Sequence, residues 1–218
     1  MGRYRRSLRA AAVMVLLASC SPRSRVPVVA PASGPPIVAV LPFRVGGQLG
    51  ADATFTTRAD LPPVPDDVGE QMAVMLSQVL ARNGVATVDP SHVMHATPPP
   101  GASRYDASLA ARVARGLGVR LAVLGALTRY DEREGSAWGT RNPATVWYQA
   151  VLIDGDGGAV LDRQRFEYTQ QPLSENLLQL PRFLQGGGRW VTRQEMLSGA
   201  LNDTGASLAL AIRGARPR

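Results

Sequence analysis

From residue 37 onward, continuous apolar runs alternate with helical repeats of apolar residues. Residues 37–43 and 119–127 are almost wholly apolar, which is typical of strands buried on both faces. Pro42 is expected to end regular pairing in the first run. Between the runs, apolar residues recur every three or four positions and predict two amphipathic helices. The predicted helix starts are Asp66 or Asp67 and Asp106, and the predicted stops are Gly84 and Gly118.

The second half of the chain predicts a hairpin followed by a last helix. The runs 146–153 and 159–168 flank the turn sequence Asp-Gly-Asp-Gly-Gly. Thr192 and Glu195 form a capping box before the last helical repeat. The remaining segments are predicted as a long loop at 45–65, a short strand at 85–88 and a helical turn at 90–95. This order predicts one α/β domain over 37–218, a two-layer sandwich of a mixed sheet with packed helices.

The first twenty residues have the pattern of a secretory signal. Four arginines precede the apolar residues 10–17, which are too few to span a bilayer that needs about 20. Leu17-Ala-Ser-Cys20 follows and resembles the bacterial lipobox, in which residues 1–19 are removed and the cysteine is acylated. The alternative is a short transmembrane anchor with an incidental cysteine. Cys20 is the only cysteine of the chain, so we expect it to carry the lipid that holds the protein on the membrane.

The arginines of the signal account for more than half of the net positive charge of the chain. All 24 basic residues are arginine, and four of them lie in the signal, so 20 remain against 17 acidic residues, a net charge of +3. This balance does not favour nucleic-acid binding.

Residues 20–36 begin with the lipidated cysteine, and the 16 that follow it contain five prolines. They predict a tether that reaches at most about 50 Å.

Three segments resemble a known family. They are Ile-Val-Ala-Val-Leu-Pro-Phe at 37–43, Gly-Glu-Gln-Met-Ala-Val-Met-Leu at 69–76 and Gly-Val-Arg-Leu-Ala-Val-Leu-Gly at 118–125. Together they resemble the TolB N-terminal-like group of envelope lipoproteins, which includes LpoB and CsgG, over residues 37–166. The resemblance implies a small α/β lipoprotein that assists another envelope protein in cell-wall synthesis, secretion or transport. Ser21, in place of the retention-type aspartate, favours the outer membrane by analogy.

Candidate chemistry is sparse. His92 and His95 are the only histidines and could share a helical face, but no adjacent cluster supplies further metal ligands. The Asp154-Gly-Asp156 sequence begins like a calcium loop and lacks the downstream glutamate, so a hairpin turn explains it better. We therefore expect no cofactor, no resident metal and no catalytic residues. A periplasmic enzyme or metal-binding protein that uses His92 and His95 is the alternative.

Arginine and aromatic residues near the predicted hairpin suggest a binding surface. Trp147 and Tyr148 point to opposite sides of one strand, and Arg129 and Arg133 precede them in the chain. Such side chains are enriched at binding hot spots, so we predict a partner-binding site at these four residues, on a sheet edge. Packing of the two aromatic residues in the core is the alternative. The sequence thus favours a lipid-anchored, periplasm-facing, non-enzymatic module that docks on an envelope protein. A homo-oligomer is an assembly that this interpretation leaves open.

Overall fold

The computed structural model describes residues 37–132, 134–135, 140–142, 144–170 and 192–215. All of them belong to one compact unit, Pro35–Arg218. The strands are β1 (Ile37–Val40), β2 (Arg44–Val45), β3 (Gly47–Leu49), β4 (Phe55–Thr57), β5 (Ala86–Thr87), β6 (Leu121–Asp131), β7 (Glu134–Gly135), β8 (Thr140–Asn142), β9 (Thr145–Asp154) and β10 (Val160–Thr169). The helices are α1 (Asp67–Arg82), α2 (Pro90–Ala96), α3 (Ala107–Gly116) and α4 (Arg193–Gly214).

The main sheet is mixed and has the strand order β10-β9-β6-β1-β5. β1 runs parallel to β5 and β6, while β6, β9 and β10 are antiparallel neighbours. β2 continues the line of β1 and also pairs with β6. Pro42 separates β1 from β2, and the N–H of Phe43 donates to the carbonyl of Gly69 in α1 instead of to the sheet (3.0 Å). The predicted end of regular pairing at Pro42 is confirmed.

Both faces of the sheet are covered. Val38 and Val40 of β1 pack with α1 and α4, whereas Ala39 and Leu41 pack with α2 and α3. The single α/β domain with a mixed sheet is confirmed, and helices on both faces replace the two layers predicted from the sequence. The apolar runs of β1 and β6 explain this difference, because a strand that is apolar on both sides needs cover on both sides.

Local capping signals predicted the starts of α3 and α4, whereas α1 begins at Asp67 without a capping hydrogen bond from the side chain of Asp66. The side chain of Asp106 accepts a hydrogen bond from the N–H of Leu109 (2.9 Å), and Thr192 and Glu195 form the complete capping box of α4. Both features satisfy backbone donors that the first helical turn leaves unpaired. The segment 45–65 differs from its prediction, because β3 and β4 form a small antiparallel hairpin within it. This hairpin lies on the α2/α3 face, where Leu49 joins the buried cluster.

Candidate functional site

A cross-strand row of side chains forms the candidate site. The register between β6 and β9 shifts between Leu127 and Arg129, and this irregularity places Arg129 opposite Trp147. On the other side of β9, Trp147 lies opposite Glu167 of β10. Thr128 stabilises the irregularity, because its hydroxyl donates to the carbonyl of Gly47 (2.8 Å). Arg129, Trp147 and Glu167 thus lie side by side on the α2/α3 face, and we call them the arginine–tryptophan row.

The guanidinium of Arg129 lies over the indole of Trp147. Its central carbon is 5.0 Å from the ring centroid, within the range of a cation–π contact. Nε of Arg129 also donates to Asp131 (2.8 Å), which fixes the arginine in this position. The arginine side chain keeps 30% of its surface exposed, and Trp147 is half-buried. The row is therefore held in place by contacts within the chain and remains accessible from outside.

Charges of both signs lie around the row. Arg165 of β10 pairs with Glu167 (Nε to Oε1, 2.8 Å), and both side chains are exposed, at 61% and 44%. Nearer the β3–β4 hairpin, the side-chain oxygen of Gln149 accepts a hydrogen bond from the N–H of Leu49 (2.7 Å). Glu167 and Arg165 were missing from the sequence prediction. The alternation of charged and aromatic residues along 165–168 could have indicated that Arg165 and Glu167 share one face of the strand.

Tyr148 does not belong to the accessible surface, which corrects the prediction that paired it with Trp147. Its ring is 1% exposed, stacks on Phe166 (5.5 Å between centroids) and meets Phe43 edge-on (6.3 Å). Its hydroxyl shares a hydrogen bond of 2.7 Å with the hydroxyl of Thr204 in α4. Burial raises the pKa of Tyr148 above its usual value of 10.0. Tyr148 is a core residue because α4 covers its side of β9.

The position of β9 in the sheet also differs from the prediction. β9 is an interior strand that pairs with β6 and with β10, so Trp147 lies on a sheet face and not on a sheet edge. Arg133 and Cys20 lie outside the described residues. Of the four residues predicted for partner binding, the structure brings Arg129 and Trp147 together on an accessible face.

His92 and His95 lie exposed on α2, and His95 Nδ1 is 2.7 Å from the carbonyl of Ser91. Within the described ranges, no group of three His, Cys, Asp or Glu residues is placed to hold a metal ion. The Asp-Gly-Asp turn is held by Arg115 and Arg120 instead, and Arg115 donates to the carbonyls of Gly155 and Asp156 (2.8 and 3.0 Å). Arg120 is within 3.5 Å of Asp154 and 3.8 Å of Asp156.

None of the helices in the described part of the chain is long and apolar enough to cross a membrane.

Comparisons with known proteins give similarities of fold. No protein-family model and no curated protein matches the chain. It is similar to the PelC dodecamer from Paraburkholderia phytofirmans, at 15% identity over 79% of this chain and 86% of that one, with a TM-score of 0.47. It is also similar to the lipoprotein GNA1162 from Neisseria meningitidis, at 15% identity over 70% of this chain and 93% of that one (TM-score 0.43). The LpoB C-terminal domain from Escherichia coli is 14% identical over 62% of this chain and 83% of that one (TM-score 0.39).

At these identities the similarity concerns the fold alone, and no function is carried over from it. A lipoprotein and LpoB are thus among the structures to which the chain is similar. The assignment to the TolB N-terminal-like group stays a prediction.

Proposed function

We propose that this protein is a lipid-anchored envelope lipoprotein that acts as a non-enzymatic accessory module for another envelope protein. The anchor is the lipid on Cys20, which directly follows the small residues Ala18 and Ser19. The proline-rich residues 21–36 give the domain a reach of at most about 50 Å from the membrane. The absence of aspartate at position 21 favours the outer membrane, with the domain in the periplasm.

The docking surface in this proposal is the arginine–tryptophan row, and the observation that carries it is the placement of Trp147. This tryptophan is half-buried and belongs to neither of the two buried clusters of the domain. A large aromatic side chain outside the core contributes little to folding for its size, whereas tryptophan and arginine are the side chains most enriched at binding hot spots. Arg129 holds the indole in a fixed orientation, which lowers the entropy lost when a partner binds.

The test is partner capture from native envelopes by the full-length, affinity-tagged lipoprotein after chemical crosslinking. Trp147→Ala should lose the crosslinked partner and keep its membrane anchor, because the substitution removes the centre of the surface. Leu210→Ala is the matched control. It removes an exposed apolar side chain (66% exposed) on α4, away from the row, and should leave capture unchanged.

Equal capture by the parent protein and Trp147→Ala would contradict the docking assignment. Loss of capture in both variants would contradict it as well, because the loss would not be specific to the row. Melting curves of each variant accompany the assay, so that a loss of capture is not attributed to a loss of fold.

A further inference from the structure

The two end strands of the sheet differ in length. β5 has two residues, and such a short strand offers little to a neighbouring chain. β10 has ten, and within the described residues no strand pairs with its side away from β9. After an irregularity between Val160 and Asp162, residues 162–169 pair with β9 in continuous register. This regular part contains no proline and no bulge, two of the devices that block pairing at a long edge, so its charged side chains are what a pairing register must accommodate.

Geometry limits how such an edge can pair with a copy of itself. A twofold axis perpendicular to the sheet makes the two strands antiparallel and keeps each face of the combined sheet continuous. Residues opposite each other must then lie on the same face, and residues on one face are separated by two positions along a strand. One residue of β10 must therefore lie opposite its own copy, with the axis midway between the two. We call this residue the centre of the register. Near the middle of the strand the possible centres are Gln164, Arg165, Phe166 and Glu167.

The charges of β10 favour one of these centres. An axis at Gln164 sets Arg163 against Arg165 of the second copy. An axis at Arg165 or at Glu167 sets that residue against itself. An axis at Phe166 sets Arg165 against Glu167 of the second copy, twice by symmetry, and opposes no like charges. Opposite charges across a strand pair stabilise it and like charges destabilise it.

The other face of β10 also fits this register. Phe166 is half-buried, stacks on Tyr148 and lies 6.4 Å from the ring of Tyr168. At the twofold axis it would meet Phe166 of the second copy, and aromatic cross-strand pairs are among the favourable ones. Arg163 is already engaged, since it donates to the carbonyls of Gly50 and Ala51 (2.9 and 3.1 Å). In this register it opposes the neutral Thr169.

We propose that two copies of this chain pair through antiparallel β10 strands about a twofold axis at Phe166, so that their sheets join into one. Arg165 and Glu167, which now pair within one chain, form two ion pairs between the chains. The proposal goes beyond the proposed function and does not depend on it, because the contact is made by the backbone edge of β10 and not by Trp147. Glu167 is the residue that it shares with the arginine–tryptophan row. Failure of partner capture would leave it standing.

Charge reversal tests the register in the full-length lipoprotein, extracted in mild detergent and analysed by sedimentation. The parent should be dimeric. Arg165→Glu and Glu167→Arg should each weaken the dimer by about tenfold or more, because each replaces two opposite-charge pairs with like-charge pairs. The double variant R165E/E167R restores both pairs and should recover the dimer. Arg58→Glu is the control, since it disrupts the exposed Arg58–Asp60 pair (2.6 Å), which is not on β10.

Crosslinking gives a second measurement. Opposite residues of an antiparallel pair have Cα atoms about 4.5–5.5 Å apart, which suits a disulfide. Arg165→Cys and Glu167→Cys chains expressed together should form a mixed disulfide dimer more readily than either variant alone. A monomeric parent, a dimer that survives both single reversals, or equal crosslinking in all three samples would overturn the proposal. Failure of the double variant to recover the dimer would overturn the register.

Discussion

Gly205 of α4 lies against Val79 of α1 so closely that a Cβ atom at position 205 would stand 2.3 Å from Cγ1 of Val79. The side chain of Leu76 is 3.5 Å from the same point. Leu76 and Leu201 are fully buried in the cluster between these two helices and the sheet. The absence of a side chain at Gly205 thus sets how closely the two longest described helices approach each other.

Gly205→Ala should lower the free energy of unfolding by about 1–3 kcal/mol, because the added methyl group overpacks the helix contact. Gly199→Ala, in the same helix, adds a methyl group with no atom within 4 Å and should raise stability by about 0.5–1 kcal/mol. Urea unfolding of the two variants and the parent measures both effects. A Gly205→Ala protein as stable as the parent would show that the helices separate without loss of packing.

Truncation of the neighbours Trp147 and Tyr148 should separate a surface role from a core role. Tyr148→Ala removes a ring that is 1% exposed and should cost about 3–5 kcal/mol. Trp147→Ala removes a half-buried ring and its contact with Arg129, so a cost of about 1–2 kcal/mol is expected. Tyr148→Phe keeps the ring packing and loses the bond to Thr204, which corresponds to about 1 kcal/mol. Equal losses in the two alanine variants would assign Trp147 to the core.

Alkaline pH should destabilise the domain through its buried tyrosines. Burial raises the pKa of Tyr105 and of Tyr148 above the usual value of 10.0. The two tyrosines therefore ionise at lower pH in the unfolded chain than in the folded one. The contribution that their neutral, buried form makes to the free energy of unfolding is complete below about pH 10 and declines as pH rises further. Denaturant midpoints measured across this range should fall less steeply for the double variant Tyr105→Phe/Tyr148→Phe than for the parent. Identical slopes would show that these two hydroxyls do not govern the decline.

Cys20→Ala should abolish lipid modification, because it removes the thiol that accepts the lipid. The product should leave the membrane fraction after an alkaline wash, whereas the parent stays. Cys20→Ser is a close control that keeps the size of the side chain and should behave like Cys20→Ala. Retention of either variant with the membranes would mean that another part of the chain provides the anchor.

The features predicted correctly from the sequence are those set by neighbouring residues. Asp106 bonds to an amide three residues later, and Thr192 and Glu195 cap the helix that begins between them. The buried strand at 37–43 and the hairpin around the Asp-Gly-Asp turn depend on runs of a few residues, and both were predicted. In each case the residues that stabilise the element are the same neighbouring residues that form the sequence pattern.

The site depends on contacts between distant residues, and the sequence pattern did not report these. The strand alternation places Trp147 and Tyr148 on opposite faces, but the packing of α4 decides how the Tyr148 side is covered, and its contact residue Thr204 is 56 residues later. Arg129 reaches Trp147 only because the register shifts after Leu127, and a shift of one residue exchanges the faces of every residue beyond it. The β3–β4 hairpin was missed because strands of three residues are too short for an alternation to be recognised.

The position of β1 has a mechanical consequence. The N-terminal part of the chain joins the domain at Ile37, the first residue of β1, and β1 pairs on both sides, with β5 and with β6. A pull on that end along the strand direction loads the hydrogen bonds of both ladders together, in shear, instead of peeling them apart one after another. The first strand to bear the load also carries the buried residues Val38 and Val40. The domain should therefore resist forces applied through its N-terminal end better than forces that peel β10 from the opposite side of the sheet.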